Sequence, residues 1–150
     1  MRVDFYHLQK STVEEVVFVL TSKIYETGKK LLIRTDFPER ADDLNERLWT
    51  MRPDSWLPHG SAKNDFAAQQ PVYLTAGTEN PNRAEMLLLV NVPDIDAVKN
   101  FERVFFVFDG RDETVLTQAR TFWKAVVNER GEAHYWAQND SGKWEEKARA

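Results

Sequence analysis

The stretch from Phe101 to Val127 places a continuous apolar block directly before a segment of helical period. Residues Val104 to Phe108 do not alternate between apolar and polar types, which is typical of a strand buried on both faces of an α/β sheet. Asp109-Gly110 ends the block, and Asp109 or Asp112 is suited to cap a following helix. The stretch therefore predicts a strand, a turn and a helix packed on the sheet.

This predicted helix carries two stripes of side chains. The first is apolar and would face the core: Val115, Ala119, Phe122 and Val126. The second, about a quarter turn away, mixes apolar and cationic residues: Leu116, Arg120, Trp123 and Val127, with Lys124 at its outer edge. Two interpretations stay open. Either Trp123 closes the margin of the core while the cations are solvated, or the stripe is a groove for a peptide that ends in apolar residues and carries carboxylates.

The rest of the chain alternates strand and helix signals, which favours an α/β fold with a mainly parallel sheet. The predicted elements are a strand over 2–8, a helix from Ser11 or Thr12 to Gly28, a strand over 29–34, a helix from Pro38, strands at 71–74 and 86–92, and an edge strand at His134–Trp136. Residues 93–100 are interpreted as a polar connection. We expect one domain over residues 1–150, with a charged tail from Asn139 that frays.

Composition argues against several classes of function. The formal net charge is -4, which would repel a nucleic-acid backbone. Cysteine is absent, so there is no disulfide, thiolate nucleophile or cysteine-based metal site. The N-terminus has no secretory h-region and no apolar run is long enough for a membrane helix, so the sequence predicts a cytoplasmic protein without membrane contact.

Motifs for catalysis and cofactors are missing. The sequence has no G-x-G-x-x-G, no P-loop before a helix, no G-x-S-x-G and no metal-ligand spacing among its three histidines. We therefore predict no catalytic residue, no cofactor and no metal. Two alternatives remain: a small enzyme whose site combines scattered residues such as His7, His59 and Asp36, or a direct binder of single-stranded nucleic acid that stacks bases on Trp56 and Trp123.

Short motifs along nearly the whole chain resemble those of the chi subunit of bacterial DNA polymerase III, the HolC family. They occur in the family's order and spacing: Phe5-Tyr6-x-Leu8, Gly28-Lys29-Lys30-Leu31-Leu32-Ile33, Leu44-x-x-x-Leu48-Trp49, a gap of six residues, Trp56-Leu57-Pro58-His59, Pro71-Val72 and Ala119-Arg120-x-x-Trp123-Lys124. The resemblance implies a three-layer, Rossmann-like α/β fold without a nucleotide-binding loop. It also implies a non-catalytic protein that links the clamp-loader complex to single-stranded DNA-binding protein and meets DNA only indirectly.

The resemblance further implies two binding sites. Arg120 and Lys124 would pair with carboxylates of the acidic C-terminal tail of single-stranded DNA-binding protein. Trp123 would wall the pocket for the tail's final Phe, with Leu116 and Val127 beside it. Trp56, with Leu57, would engage the small psi subunit of the clamp loader or a competing helicase, so that the protein is a monomer or a heterodimer.

The sequence departs from the family pattern near both sites. Trp123 stands where the family member compared has Tyr, and Trp56 stands where Phe is usual. The segment 128–132 is also acidic, and acidic neighbours would weaken tail binding or make it more sensitive to salt.

Overall fold

The computed structural model describes residues 1–50, 60–61 and 70–150. Its elements are β1 (Arg2–Leu8), α1 (Val13–Glu26), β2 (Leu31–Arg34), α2 (Pro38–Thr50), β3 (Gly60–Ser61), β4 (Val72–Thr75), β5 (Met86–Val90), α3 (Ile95–Val98), β6 (Arg103–Asp109), α4 (Glu113–Asn128), β7 (Glu132–Gln138) and β8 (Trp144–Arg149). In this part of the chain, one eight-stranded sheet has the order β3-β4-β2-β5-β6-β1-β7-β8. Only β7 and β8 pair antiparallel there, so the predicted mainly parallel α/β fold is confirmed.

The helices cover both faces of the sheet. Helices α1 and α2 share one apolar cluster, which includes Val17, Leu44 and Val107. Helices α3 and α4 share the cluster on the other face, which includes Val98 and Phe122. Successive β6 side chains enter opposite clusters because a strand points them alternately to its two faces, which explains why its apolar run is continuous.

Side-chain oxygens cap the helices that position the site. Asp112 caps α4, where the backbone N–H groups of Thr114 and Val115 donate to Oδ1 at 2.9 and 3.3 Å. Thr12 rather than Ser11 caps α1, because the N–H of Glu15 donates to Thr12 Oγ1 at 3.2 Å. These bonds satisfy amide groups that have no partner within the helix.

Three features of the sequence interpretation are wrong. The polar connection at 93–100 contains the short helix α3, and the predicted edge strand at 134–136 is part of β7, which lies between β1 and β8. The predicted frayed tail instead forms β8. Its charge pattern suggested solvation, but exposed edge strands often carry charged side chains, which discourage pairing with other molecules.

Candidate functional site

Helix α4 packs its apolar stripe on β1 and β6, as the sequence predicts. Ala119, Phe122 and Val126 are buried, and the rings of Phe5 and Phe122 lie 5.3 Å apart between centroids. Because this stripe packs on the sheet, the second stripe of the helix lies at the margin of the core. The outer residues are therefore held in place by the core beneath them.

The apolar part of the second stripe is partly buried and partly exposed. Trp123 is half-buried, with its ring centroid 5.2 Å from that of Phe5 and 5.9 Å from that of Tyr135. Leu116 is also half-buried, and Val127 is 40% exposed. Trp123 therefore closes the margin of the core, as the first interpretation states, and still offers part of its ring to solvent.

The cations of the stripe are exposed. Among the described residues, neither Arg120 nor Lys124 has a hydrogen bond or an ion pair. The Arg120 charge nevertheless acts on two neighbours. Burial lowers the pKa of His7 and Arg120 lowers it further, whereas burial raises the pKa of Tyr135 and Arg120 partly offsets that rise. The charge of Arg120 therefore influences the pKa of both side chains.

Sequence reasoning missed His7 and Tyr135 as members of this face. His7 Nδ1 and the Tyr135 hydroxyl are hydrogen-bonded at 2.8 Å, although the residues are 128 positions apart. His7 follows Val3 and Phe5 on the same side of β1, which is a signal for the α4 face. Tyr135 could not be placed in the same way, since its register against β1 depends on the strand order.

The acidic residues that follow α4 interact with other side chains. Glu129 forms an ion pair with Lys99 at 3.1 Å, and Glu132 is hydrogen-bonded to His134 at 2.9 Å. The segment 128–132 was expected to weaken binding by its charge. With these contacts in place, both carboxylates have partners other than Arg120 and Lys124.

Two residues of the alternative scattered site, His7 and Asp36, have separate partners. His7 is hydrogen-bonded to Tyr135, whereas Asp36 pairs with Arg40 at 2.6 Å. Within residues 1–50, 60–61 and 70–150, no group of three His, Asp or Glu side chains is arranged to hold a metal ion. His59, Trp56 and Leu57 lie outside the described residues, so the predicted psi or helicase interface stays a prediction.

Comparison with known proteins decides the family. The model of the family described as DNA polymerase III chi subunit, HolC, matches residues 1–133. The chain belongs to the DNA polymerase III chi subunit family. This membership confirms the resemblance carried by the short motifs, including Ala119-Arg120-x-x-Trp123-Lys124 on α4.

Three relatives of the chi family show the extent of similarity. The probable DNA polymerase III subunit chi of Rickettsia prowazekii is 30% identical over 111 residues, which are 69% of this chain and 67% of the relative. The chi subunit of Haemophilus influenzae is 29% identical over 126 residues, or 81% of this chain and 87% of the relative. The chi subunit of Pseudomonas aeruginosa is 28% identical over 106 residues, or 69% of this chain and 73% of the relative.

No helix in the described part of this chi-family chain combines the length and apolar character needed to cross a membrane. The longest helix of that part, α4, has 16 residues and carries the polar and charged side chains described above. Helix α1 has 14 residues and includes the charged side chains of Glu14, Glu15 and Lys23.

Proposed function

We propose that the protein is a non-catalytic accessory subunit of the bacterial DNA polymerase III holoenzyme in the cytoplasm. Family membership supports association with the polymerase complex. In this role the protein links the clamp-loader complex to single-stranded DNA-binding protein by holding that protein's acidic C-terminal tail. The fold would be the Rossmann-like variant that the family resemblance implies.

One observation carries the tail-binding proposal: a half-buried aromatic ring lies on the same helical stripe as two exposed cations that have no hydrogen bond or ion pair within residues 1–50, 60–61 and 70–150. Arg120 and Lys124 are one turn of α4 apart, with Trp123 between them along the stripe. A peptide with carboxylates and a terminal Phe would meet charge and apolar surface together. A purely apolar peptide would not use the cations, and a purely acidic peptide would not use the apolar surface.

The aromatic part of the site is packed on the core. Trp123 is in contact with Phe5 and Tyr135, and Phe5 is fully buried beneath it. A preformed wall reduces the entropy lost on binding, because the tail rather than the protein becomes ordered. We expect the final Phe of the tail to pack on the exposed part of Trp123, beside Leu116 and Val127.

The cationic part of the site recognises carboxylates. A guanidinium can bind a carboxylate through two parallel hydrogen bonds, so we propose that Arg120 forms the direct hydrogen bonds to one carboxylate of the tail. Lys124 is a point charge at the outer edge and would attract the remaining acids. No internal ion pair among the described residues has to break before either side chain meets the tail.

A second interface is proposed at Trp56 and Leu57, for psi or for a competing helicase. Family resemblance supports it, since Trp56-Leu57-Pro58-His59 follows the family spacing after Leu48-Trp49. The protein would then be a monomer alone and a heterodimer with its partner.

The proposal is tested by a titration of the protein with an acidic peptide that ends in Asp-x-Pro-Phe, followed by tryptophan fluorescence. The control is the same peptide without its final Phe. We expect a Kd on the order of micromolar for the intact peptide and at least tenfold weaker binding of the control, since a buried Phe contributes roughly 1.5–3 kcal/mol. Equal binding of both peptides, or no binding at low salt, would contradict the proposal.

A further inference from the structure

His7 and Tyr135 form a hydrogen-bonded pair beside the cationic part of the α4 face. His7 lies near the carboxyl end of β1, and Tyr135 lies on the neighbouring strand β7. Tyr135 also contacts the Trp123 ring at 5.9 Å between centroids. The pair is thus continuous with the surface proposed to bind the tail, and no role has yet been given to it.

Gly110 fixes the other side of the His7 ring. A Cβ at Gly110 would lie 1.7 Å from His7 Nε2, so only glycine allows the turn after β6 to approach this closely. The Gly110 backbone acts to raise the pKa of His7, which favours the protonated imidazole. A neutral imidazole has one N–H, and in the tautomer that carries it on Nε2, Nδ1 accepts from the Tyr135 hydroxyl.

We propose that His7 and Tyr135 extend the tail-binding site and couple it to pH. When His7 is protonated, Nδ1–H donates to the Tyr135 oxygen, so the Tyr135 O–H is released to donate to a carboxylate of the tail. The imidazolium also adds a positive charge to the face that carries Arg120. This inference rests on the proposed function, because the carboxylates are those of the tail.

The charged groups around His7 set the direction of the effect. From α4, Arg120 disfavours protonation, and from the end of β6, Asp109 favours it. Asp109 is itself paired with Arg111 at 2.8 Å, and from β7 only the neutral Tyr135 meets the ring among the described contacts. The net result in the free protein is a lowered pKa, with burial as the largest cause. A bound carboxylate near Arg120 and Tyr135 would raise that pKa.

The linkage between proton binding and tail binding gives the direction in which affinity changes with pH. If the pKa of His7 is higher in the complex than in the free protein, binding takes up a proton and affinity rises as the pH falls. The tail carboxylates have pKa values of about 4 and stay ionised between about pH 5.5 and 8. We therefore expect tail affinity to rise roughly threefold or more over that range, from the alkaline to the acidic end.

The test is a series of peptide titrations from pH 8 to 5.5 with the wild type, His7→Gln and Tyr135→Phe. His134→Gln is the matched control, since His134 is a buried histidine hydrogen-bonded to Glu132 and Glu146 on the opposite face. We expect the affinity for the peptide to rise toward acidic pH in the wild type and in the control. The affinity should not rise in His7→Gln and should rise less in Tyr135→Phe. A rise that persists in His7→Gln would overturn the inference.

A second measurement does not depend on the folding of any variant. The pKa of His7 in the wild type is followed by NMR with and without saturating peptide. A higher pKa in the complex supports the inference, and an unchanged pKa overturns it. Binding that does not vary with pH would sink the role of His7 alone, whereas no wild-type binding at any pH would also sink the proposed function.

Discussion

The two faces of the sheet use their arginines differently. On the α1 face, the buried carboxylate of Asp4 accepts hydrogen bonds from Arg2 at 3.1 Å, Arg103 at 2.8 Å and the Trp136 indole at 3.1 Å. On the α4 face, Arg120 and Lys124 have no such partner among the described residues. Both faces also carry tryptophan rings, so the difference lies in the pairing of charge rather than in the residue types.

This difference separates charges that stabilise the fold from charges available to a ligand. Breaking a buried pair leaves an uncompensated charge inside the protein, so Asp4 and its donors belong to the folded structure. An exposed cation without a partner contributes little to stability. It is the kind of group that can meet a carboxylate from another molecule.

The largest effect is expected at Asp4. Asp4→Ala leaves Arg2, Arg103 and the Trp136 indole without their shared acceptor. Because both guanidinium groups are about a third exposed, water replaces part of what they lose, and the free energy of unfolding should fall by about 2–3 kcal/mol. Urea denaturation followed by circular dichroism measures this change. A loss below about 0.5 kcal/mol, the usual range for surface substitutions, would show that the two faces do not differ in this way.

Trp123 belongs to both the core margin and the binding face, so its replacement should affect both properties. Trp123→Ala removes the ring contacts with Phe5 and Tyr135 and should cost about 2 kcal/mol of stability, less than a fully buried Trp. The same variant should weaken tail binding at least tenfold. Trp123→Phe, which keeps an aromatic ring, serves as control, and unchanged binding in Trp123→Ala would remove the ring from the site.

Arg120 should affect binding without affecting stability. Arg120→Ala removes a charge-assisted hydrogen bond of about 1.5–3 kcal/mol, so tail binding should weaken roughly tenfold or more. The free energy of unfolding should change by less than about 0.5 kcal/mol. The matched control is Arg149→Ala, whose guanidinium is exposed and paired with Glu146 at 3.0 Å. If both variants bind the peptide equally well, the pocket assignment is wrong.

Lys124 should have a smaller effect because it is a flexible charge at the rim. Lys124→Ala should weaken tail binding about threefold, mainly through slower association. The loss should shrink as salt is raised from about 0.05 to 0.5 M, since an exposed charge is screened. Stopped-flow fluorescence at several salt concentrations measures this, and a loss independent of salt would place Lys124 in a buried contact instead.

The smallest expected signal is the acid dependence of stability that Asp4 produces. Burial alone would raise the pKa of Asp4, but the hydrogen bonds from Arg103 and Arg2 outweigh it and lower the pKa. The stabilisation is therefore complete above the unfolded pKa of about 3.9 and is lost as the pH falls through the lower folded value. Thermal unfolding from pH 7 to 2.5 should show a shallower acid decline for Asp4→Asn than for the wild type; parallel curves would contradict this.

The β6–α4 unit was predictable because its signals are local. Its apolar run indicates a strand covered on both faces, and the 3.6-residue period of α4 assigns Phe122 and Trp123 to different stripes from the sequence alone. The helical period that predicts the core stripe also places Arg120 and Lys124 away from that stripe, on the outer side of the helix. The partner proposed for those residues comes from the family resemblance and not from the pattern.

Other features depend on strand order, which local patterns do not encode. Strands β1 and β2 are connected by α1, yet β5 and β6 lie between them in the sheet. The pair of His7 and Tyr135 exists only because β7 lies beside β1. Helix α3 is too short for a periodic signal, and β8 carries the charges of a solvated segment although it pairs with β7.

The most direct measurement follows the tryptophan indole N–H signals by two-dimensional NMR while the intact acidic peptide is added. Trp123 lies on the α4 face, whereas Trp136 and Trp144 lie on the α1 face beside Tyr6. We predict a saturable shift of the Trp123 signal with little change at Trp136 and Trp144. Saturable shifts at Trp136 and Trp144 with none at Trp123 would contradict it and place the tail on the other face of the sheet.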